Sequence, residues 1–214
     1  MSSLREVPTL GSVLDRIPVL PVVVVDSASD AVSIAKALVA GGLPAIELTL
    51  RTTATLDAIR AIADEVPEIL VGAGTIVKPG QAKLALDAGA QFLVSPGVTG
   101  SLLHAMQDTG LPFLPGTATV SEALAALEAG ITELKFFPAE ASGGTAFLTA
   151  IAAPVPAARF CPTGGITAAS APAYLALSNV GCVGGSWLTP ADAVASGDWD
   201  RITRLAAEAA GLLR

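Results

Sequence analysis

The feature that most constrains the fold is a regular alternation between short apolar runs and longer stretches with helical spacing. The helix-like stretches include "DAVSIAKALVAGG", "TLDAIRAIADEV", "GQAKLALDAGA" and "TVSEALAALEAG", with glycines near their ends. Strands that alternate with helices pair in parallel, because each helix carries the chain back to the start of the next strand. Eight strands are predicted: "PVLPVVVV", "PAIELTL", "ILVGAG", "AQFLVSP", "LPFLPG", "ITELKFF", "ARFCPTGG" and "VGCVGGS".

Eight such units with nearly continuous apolar strands predict a closed (β/α)₈ barrel, the TIM-barrel architecture, and a doubly wound open sheet is the alternative. No linker, low-complexity tract or change in composition marks a second domain. We therefore expect a single barrel domain over residues 1–214, with residues 1–13 forming an N-terminal extension or helix. A last helix at about residues 198–212 is expected to close the barrel.

The charge balance excludes several classes of partner. The formal net charge is −7 and the sequence pI is about 4.6, so no basic face can neutralise a nucleic-acid backbone or an anionic membrane surface. The longest apolar run near the start, "IPVLPVVVV", is much shorter than the roughly 20 residues of a spanning helix, and we read no signal peptide around it. We therefore expect a cytoplasmic protein with neither a nucleic acid nor a membrane as partner.

Metal chemistry has few ligands to draw on in this sequence. The chain has one histidine and two cysteines, and it contains no Cys-x-x-Cys motif. Cys161 and Cys182 lie in apolar strand-like runs, where buried thiols are expected. The prediction is that no metal ion and no cofactor is used.

Polar residues fall where a barrel of parallel strands places its active site, at the C-terminal ends of the strands. Glu47 lies within the second predicted strand and Arg51 follows its end, while Lys135 lies near the end of the sixth. The remaining strand ends carry Thr75, Ser95–Gly97, Thr163–Gly165 and Gly184–Ser186. Because these ends meet at one face of a barrel, the side chains are expected to surround one site.

Lys135 is the most unusual of these residues, since it precedes two phenylalanines in a strand predicted to be buried. A lysine surrounded by apolar side chains favours the neutral amine, which attacks carbonyl carbon and forms a Schiff base. The alternative is a structural ion pair with Glu133, or with Glu47 across the barrel. The spacing alone leaves both open.

Glu47 strengthens the catalytic interpretation of Lys135. A buried carboxylate is either paired with a cation or serves as a general acid and base. A Schiff-base lysine needs such a group, because the formation and dehydration of the carbinolamine both move protons. The two residues together therefore favour catalysis over a structural pair.

Two glycine pairs lie at the ends of the last two predicted strands, in "TGG" and "GGSW". Glycines there let backbone N–H groups approach a ligand, and these loops commonly hold phosphate in barrels of this type. An acidic protein can bind phosphate in this way without a basic patch. The alternative is that the glycines only form turns.

The motifs "ALVAGGLPAIELTLRT", "VGAGT", "FLVSPG", "LPG", "KFFPAE", "FCPTGG" and "VGGSWL" closely resemble those of the 2-keto-3-deoxy-6-phosphogluconate aldolases, which often also act on 4-hydroxy-2-oxoglutarate. The likeness keeps order and spacing from about residue 14 to the C-terminus. It implies a metal-independent class I aldolase on a (β/α)₈ barrel, usually a homotrimer. It further implies cleavage of the phosphorylated substrate to pyruvate and glyceraldehyde 3-phosphate.

The resemblance also implies roles for single residues. Lys135 matches the Schiff-base lysine of the family, and Glu47 matches its general acid and base. Arg51 and Thr75 match the residues that bind the substrate carboxylate. The positions that bind phosphate in the family correspond here to the backbone of Gly164, Gly165 and Gly185, together with Ser186. The positions that line the family's pocket correspond to Pro96, Phe137 and Thr163.

Two other classes of function compete with an aldolase. A phosphate-binding barrel isomerase or synthase would share the glycine-rich strand ends but has no need for a lysine like Lys135. A non-catalytic sugar-phosphate binder would keep the glycines and lose Lys135 or Glu47, and both are present. The sequence leaves open the preference among the phosphorylated substrate, its C4 epimer and 4-hydroxy-2-oxoglutarate.

Overall fold

The computed structural model describes residues 12–212, and this part of the chain is an α/β structure with parallel strands. Its nine strand segments are β1 (Val19–Val23), β2 (Ala45–Thr49), β3 (Leu70–Gly74), β4 (Phe92–Val94), β5 (Phe113–Leu114), β6 (Gly116–Thr117), β7 (Glu133–Phe136), β8 (Arg159–Pro162) and β9 (Val183–Gly185). They form one sheet with the order β5-β4-β3-β2-β1-β9 and a second with the order β6-β7-β8. Every strand pair is parallel, as the alternation predicts.

Helices connect the successive strands. Within residues 12–212 they are α1 (Ala28–Ala40), α2 (Thr55–Glu65), α3 (Pro79–Asp87), α4 (Gly100–Gln107), α5 (Val120–Glu128), α6 (Gly144–Ala152), α7 (Ala171–Leu175), α8 (Ala191–Ser196) and α9 (Trp199–Ala210). The four named helix-like stretches become α1, α2, α3 and α5. Of the predicted N-terminal extension, residues 1–11 lie outside the described residues, and a short 3₁₀ helix spans Val13–Asp15.

Side-chain caps explain where several helices begin. Thr119 and Glu122 form a capping box at the start of α5, in which each side chain accepts a hydrogen bond from the backbone N–H of the other residue. The backbone N–H of Ala118 also donates to the Glu122 carboxylate at 2.8 Å, and it lowers the pKa of that group. Ser27 caps α1 in a similar way by accepting from the N–H of Asp30 at 3.1 Å.

The two sheets adjoin each other at two places. The predicted fifth strand is divided by Pro115 into β5 and β6, because proline has no N–H to donate to a ladder. β5 pairs with β4 in the first sheet, and β6 pairs with β7 in the second. On the other side, two isolated parallel bridges, Phe160 with Val180 and Thr163 with Gly184, bring the chain around β8 beside β9.

The C-terminal helix α9 packs on α1, next to the first strand. A methyl group at Gly41 would overlap Ala206, so the helices approach closely at this glycine. The hydroxyl of Thr203 donates to the carbonyl of Ala37 at 3.2 Å. The predicted last helix is therefore present, with slightly narrower bounds than expected.

Aromatic side chains fill the space between the second sheet and its helices. Phe136 of β7 stacks on Phe147 of α6, with ring centroids 4.8 Å apart, and meets Phe160 of β8 edge-on at 6.4 Å. Side chains alternate along β7, so Phe136 packs outward onto the helices and Lys135 points to the opposite face. In residues 12–212 no helix is long and apolar enough to cross a bilayer.

Candidate active site

Lys135 and Glu47 meet on the inner face of the strands. The Lys135 ammonium lies 3.5 Å from Glu47 Oε1, and the two residues are only 5% and 1% exposed. Among residues 12–212 this is the only ion pair in which both side chains are buried. Taking two charges out of water is costly, so a lone buried pair of this kind indicates a functional site more than a stabilising one. Glu133, the other partner considered for Lys135, instead pairs with Arg159 at 3.2 Å.

The glycine at the end of β3 determines where the Glu47 carboxylate can lie. Glu47 and Thr49 share one face of β2, and Gly74 is the partner of Thr49 in the parallel register. A methyl group at Gly74 would overlap the Glu47 carboxylate, which lies against the bare backbone there. Thr49 is buried and donates to the carbonyl of Val23 at 3.2 Å, which fixes β2 to β1 beside the site.

Phe137 covers the other side of Lys135. The ammonium lies 5.3 Å from the centroid of the Phe137 ring, within the range of a cation–π contact. The ring is half-buried and also lies beside Gly164, where an added methyl group would come within 3.2 Å of it. Phe137 therefore connects the lysine to the loop that follows β8.

Thr75, Arg51 and Pro96 lie at the same end of the strands. Thr75 follows β3 with φ of 59°, a left-handed conformation that is rare for a β-branched residue and is typical of functional sites. Arg51 follows β2 and is exposed, and its side chain makes no ion pair within the described part of the chain. Pro96 is half-buried and its backbone packs against Gly116, the register partner of Lys135.

The turns after β8 and β9 adjoin each other through Thr163. Its side chain is buried and packs against Gly184, where a methyl group would overlap the hydroxyl. Gly164 and Gly165 have φ of 101° and 82°, conformations that favour glycine. No hydrogen bond from the backbone N–H of Gly165 or of Ser186 is found within residues 12–212. Gly185 is buried in β9 and Ser186 is exposed directly after it.

The predicted site residues lie within or directly after the parallel strands, and the contacts above link Glu47, Phe137 and Gly164 to Lys135. The sequence interpretation missed Gly74, although its position in "VGAGT" directly before Thr75 was a usable signal.

Cys161 and Cys182 are buried, as expected. The described residues contain no group of three or more His, Cys, Asp or Glu side chains placed to hold a metal ion.

The chain matches a known protein family over most of its length. The family described as KDPG and KHG aldolase matches residues 10–205. A KHG/KDPG aldolase of Escherichia coli is 56% identical over 198 residues, which is 92% of this chain and 93% of that protein. The chain therefore belongs to the KDPG and KHG aldolase family, in which KDPG is 2-keto-3-deoxy-6-phosphogluconate and KHG is 4-hydroxy-2-oxoglutarate.

Two solved structures are similar over nearly the whole chain. The KDPG aldolase of Legionella pneumophila, with pyruvate captured as a covalent carbinolamine intermediate, has a TM-score of 0.90 and 43% identity, covering 92% of this chain and 96% of that one. The aldolase of Zymomonas mobilis with 3-phosphoglycerate has a TM-score of 0.88 and 44% identity, covering 94% of each. Both relatives are aldolases of the family that the sequence resembles, and the Legionella enzyme carries pyruvate as a covalent carbinolamine.

Proposed function

We propose that this protein is a class I aldolase that cleaves 2-keto-3-deoxy-6-phosphogluconate to pyruvate and glyceraldehyde 3-phosphate, and that it also acts on 4-hydroxy-2-oxoglutarate. The observation that carries the proposal is the buried pair of Lys135 and Glu47, 3.5 Å apart beside the Phe137 ring. A buried amine next to a buried carboxylate is the arrangement that imine chemistry needs. The covalent pyruvate intermediate in the Legionella relative supports it.

The reaction begins with imine formation. Lys135 first passes a proton to the Glu47 carboxylate; its neutral amine then attacks C2 of the substrate, and Glu47 gives that proton to the carbonyl oxygen to form the carbinolamine. Glu47 then takes the proton that the attacking nitrogen loses and gives it to the new hydroxyl group, which leaves as water and yields an iminium ion on Lys135. The ion is an electron sink for the next step, so the reaction needs neither a metal ion nor a free cofactor.

Carbon–carbon cleavage uses the same two groups. Glu47 accepts the proton of the C4 hydroxyl, and the electrons of the C3–C4 bond flow into the iminium to form an enamine. Glyceraldehyde 3-phosphate leaves as the C4 hydroxyl becomes its aldehyde. Protonation of C3 by Glu47 and hydrolysis of the imine by water then release pyruvate and restore the lysine amine.

Substrate recognition is assigned to the two ends of the site. Arg51 and Thr75 would bind the C1 carboxylate, the arginine through charge-assisted hydrogen bonds. The backbone N–H groups of Gly164, Gly165 and Ser186, with Gly185, would receive the phosphate. Pro96, Phe137 and Thr163 would line the pocket between them. The Zymomonas relative with 3-phosphoglycerate supports a site for a phosphorylated three-carbon compound.

The proposal also covers the architecture and the assembly of the chain. The division of one predicted strand between the sheets at Pro115, together with the bridges from β8 to β9, supports a single closed (β/α)₈ barrel domain. We further propose a cytoplasmic homotrimer that acts on small molecules. Sedimentation equilibrium should give the mass of three subunits, and a monomeric mass would refute the trimer.

Kinetics with separate substrates test the proposed function. A coupled pyruvate assay should detect turnover of both the phosphorylated substrate and 4-hydroxy-2-oxoglutarate, and comparison with the C4 epimer would establish the stereochemical preference. Release of pyruvate from none of the three would refute the proposal. A barrel isomerase or synthase would give that negative result.

A further inference from the structure

Glu140 ends the motif "KFFPAE", and the proposed mechanism gives it no role. It is exposed, and its side chain lies under the turn that follows β8: a methyl group at Gly165 would come within 2.6 Å of its Cγ and 2.8 Å of its Cβ. Its backbone N–H donates to the carbonyl of Gly164 at 3.1 Å. A carboxylate so close to a proposed phosphate site is unexpected, because like charges repel.

Tyr174 holds that carboxylate in place. It is the only tyrosine of the chain, it is 1% exposed in α7, and its hydroxyl donates to Glu140 Oε1 at 2.7 Å. Burial, followed by the hydrogen bond to Glu140, raises the pKa of Tyr174 well above its usual value. The hydroxyl therefore stays protonated and continues to donate at neutral pH.

The pair connects three segments around the glycine turn. The N–H of Ala139 donates to the carbonyl of Thr163 at 2.8 Å, next to the bond from Glu140 to Gly164. Gly144, the first residue of α6, packs over the contact, and a methyl group there would lie 3.1 Å from the Tyr174 hydroxyl. The turn after β8 is therefore hydrogen-bonded to Ala139 and Glu140, in the segment that follows β7. Tyr174 of α7 is in turn hydrogen-bonded to Glu140.

The Glu140 side chain has room to move if it is released. It lines a cavity of about 350 Å³ together with residues at the start of α6 and in α7. The hydrogen bond from Tyr174 is its only side-chain bond among the described residues. Loss of that bond would allow the side chain to turn into the cavity, away from its contact with Gly165.

We propose that Glu140 and Tyr174 are positioning residues that hold the turn at Gly164 and Gly165 in the conformation in which its N–H groups receive the substrate phosphate. This proposal rests on the proposed function. Neither residue forms a hydrogen bond or ion pair with Lys135 or Glu47 among the described residues, so we expect the pair to contribute to binding of the phosphate and not to imine chemistry. An ordered turn binds phosphate without first losing conformational entropy, and that benefit is absent for a substrate without phosphate.

Kinetics of Tyr174→Phe test the proposal, because this variant removes only the hydroxyl. We expect KM for the phosphorylated substrate to rise roughly tenfold with kcat little changed, since the lost interaction acts equally on the ground state and the transition state. Competitive inhibition by inorganic phosphate should weaken in parallel. Both kinetic constants for 4-hydroxy-2-oxoglutarate should stay within about twofold of the wild-type values. Equal changes for both substrates, or no change for either, would overturn the proposal.

Two variants of Glu140 make the test independent of Tyr174. Glu140→Ala removes the acceptor and the contact with Gly165, and should reproduce the effect of Tyr174→Phe. Glu140→Gln keeps the shape and an acceptor oxygen, and should restore KM to within about twofold of the wild-type value. If the charge of Glu140 governs phosphate binding instead, Glu140→Gln will lower KM, and that result would count against a positioning role.

Two further measurements separate the hydrogen bond from the catalytic proposal. Because the chain has one tyrosine, the ultraviolet absorbance of its phenolate reports Tyr174 alone. Its titration midpoint should fall in Glu140→Ala, and an unchanged midpoint would refute the hydrogen bond. Borohydride trapping of pyruvate should be normal in all three variants, and its absence in the wild-type protein would instead refute the proposed function.

Discussion

Substitution of Gly74 by alanine tests whether the position of the Glu47 carboxylate matters for catalysis. Gly74 lies at the end of β3 and has no positive φ, so alanine is compatible with its backbone. The added methyl group would nevertheless lie 2.5 Å from both Cγ and Cδ of Glu47, whereas ordinary contacts are 3.4–4 Å. The substitution therefore acts on the carboxylate through steric overlap alone.

The expected effect follows from these distances. Glu47 Oε1 lies closer still to the added methyl group, so to restore an ordinary contact the carboxylate must move by more than about 1 Å, and backbone on both sides of the buried strand limits other adjustments. The bond from Lys135 to Glu47 is already 3.5 Å long, so such a movement separates the two groups or changes their angle. A displacement of this size near reacting atoms typically slows catalysis about 10²-fold, and overpacking costs about 1–3 kcal/mol of stability.

The test measures kcat for cleavage of the phosphorylated substrate, and the thermal unfolding midpoint of the same variant shows whether the protein is still folded. Gly80→Ala is the matched control: it adds the same methyl group at the start of α3, where nothing lies within 4 Å, and should leave kcat unchanged. A folded Gly74→Ala variant with near-normal kcat would show that the exact placement of Glu47 is unimportant.

Three further predictions concern the proton shuttle, the phosphate and metal ions. Glu47→Gln should slow turnover by roughly 10²–10⁴-fold and slow the exchange of pyruvate methyl protons with deuterated solvent, whereas near-normal exchange would leave Glu47 as a mere counter-ion. Ser186→Asp should lower kcat/KM for the phosphorylated substrate much more than for 4-hydroxy-2-oxoglutarate, because the new carboxylate repels phosphate; equal losses would argue against the phosphate site at β8 and β9. Dialysis against a chelator should leave activity unchanged, and recovery of lost activity on addition of zinc or magnesium would contradict the metal-independent mechanism.

The alternation of strands and helices could be predicted because each element has its own period of apolar residues. The parallel sheets, α1, α2, α3, α5 and α9 follow that pattern closely. The break at Pro115 was not predicted, although proline in a strand is a known signal for a lost ladder bond. The short helices α7 and α8 were not identified either, because one or two turns are too short for a 3.6-residue period to be apparent.

The candidate site was partly predictable for a similar reason. Lys135 and Glu47 stand out as charges within apolar strands, so their burial could be inferred one residue at a time. Whether Lys135 pairs with Glu47 or Glu133 depends on the register of distant strands, which no local pattern contains. The contact between Tyr174 and Glu140 joins residues 34 positions apart, and an isolated tyrosine in an alanine-rich helix gives no sign of its partner.

Covalent trapping of pyruvate tests the central claim, that Lys135 forms the Schiff base. The chain has four lysines, and Lys36, Lys78 and Lys83 are exposed, so a buried and reactive amine is readily distinguished from them. Borohydride reduction in the presence of pyruvate, followed by peptide mass spectrometry, should give one adduct on Lys135. Lys135→Arg should give none, because a guanidinium stays protonated and cannot form an imine. An adduct on another lysine, or none on the wild-type protein, would contradict the assignment.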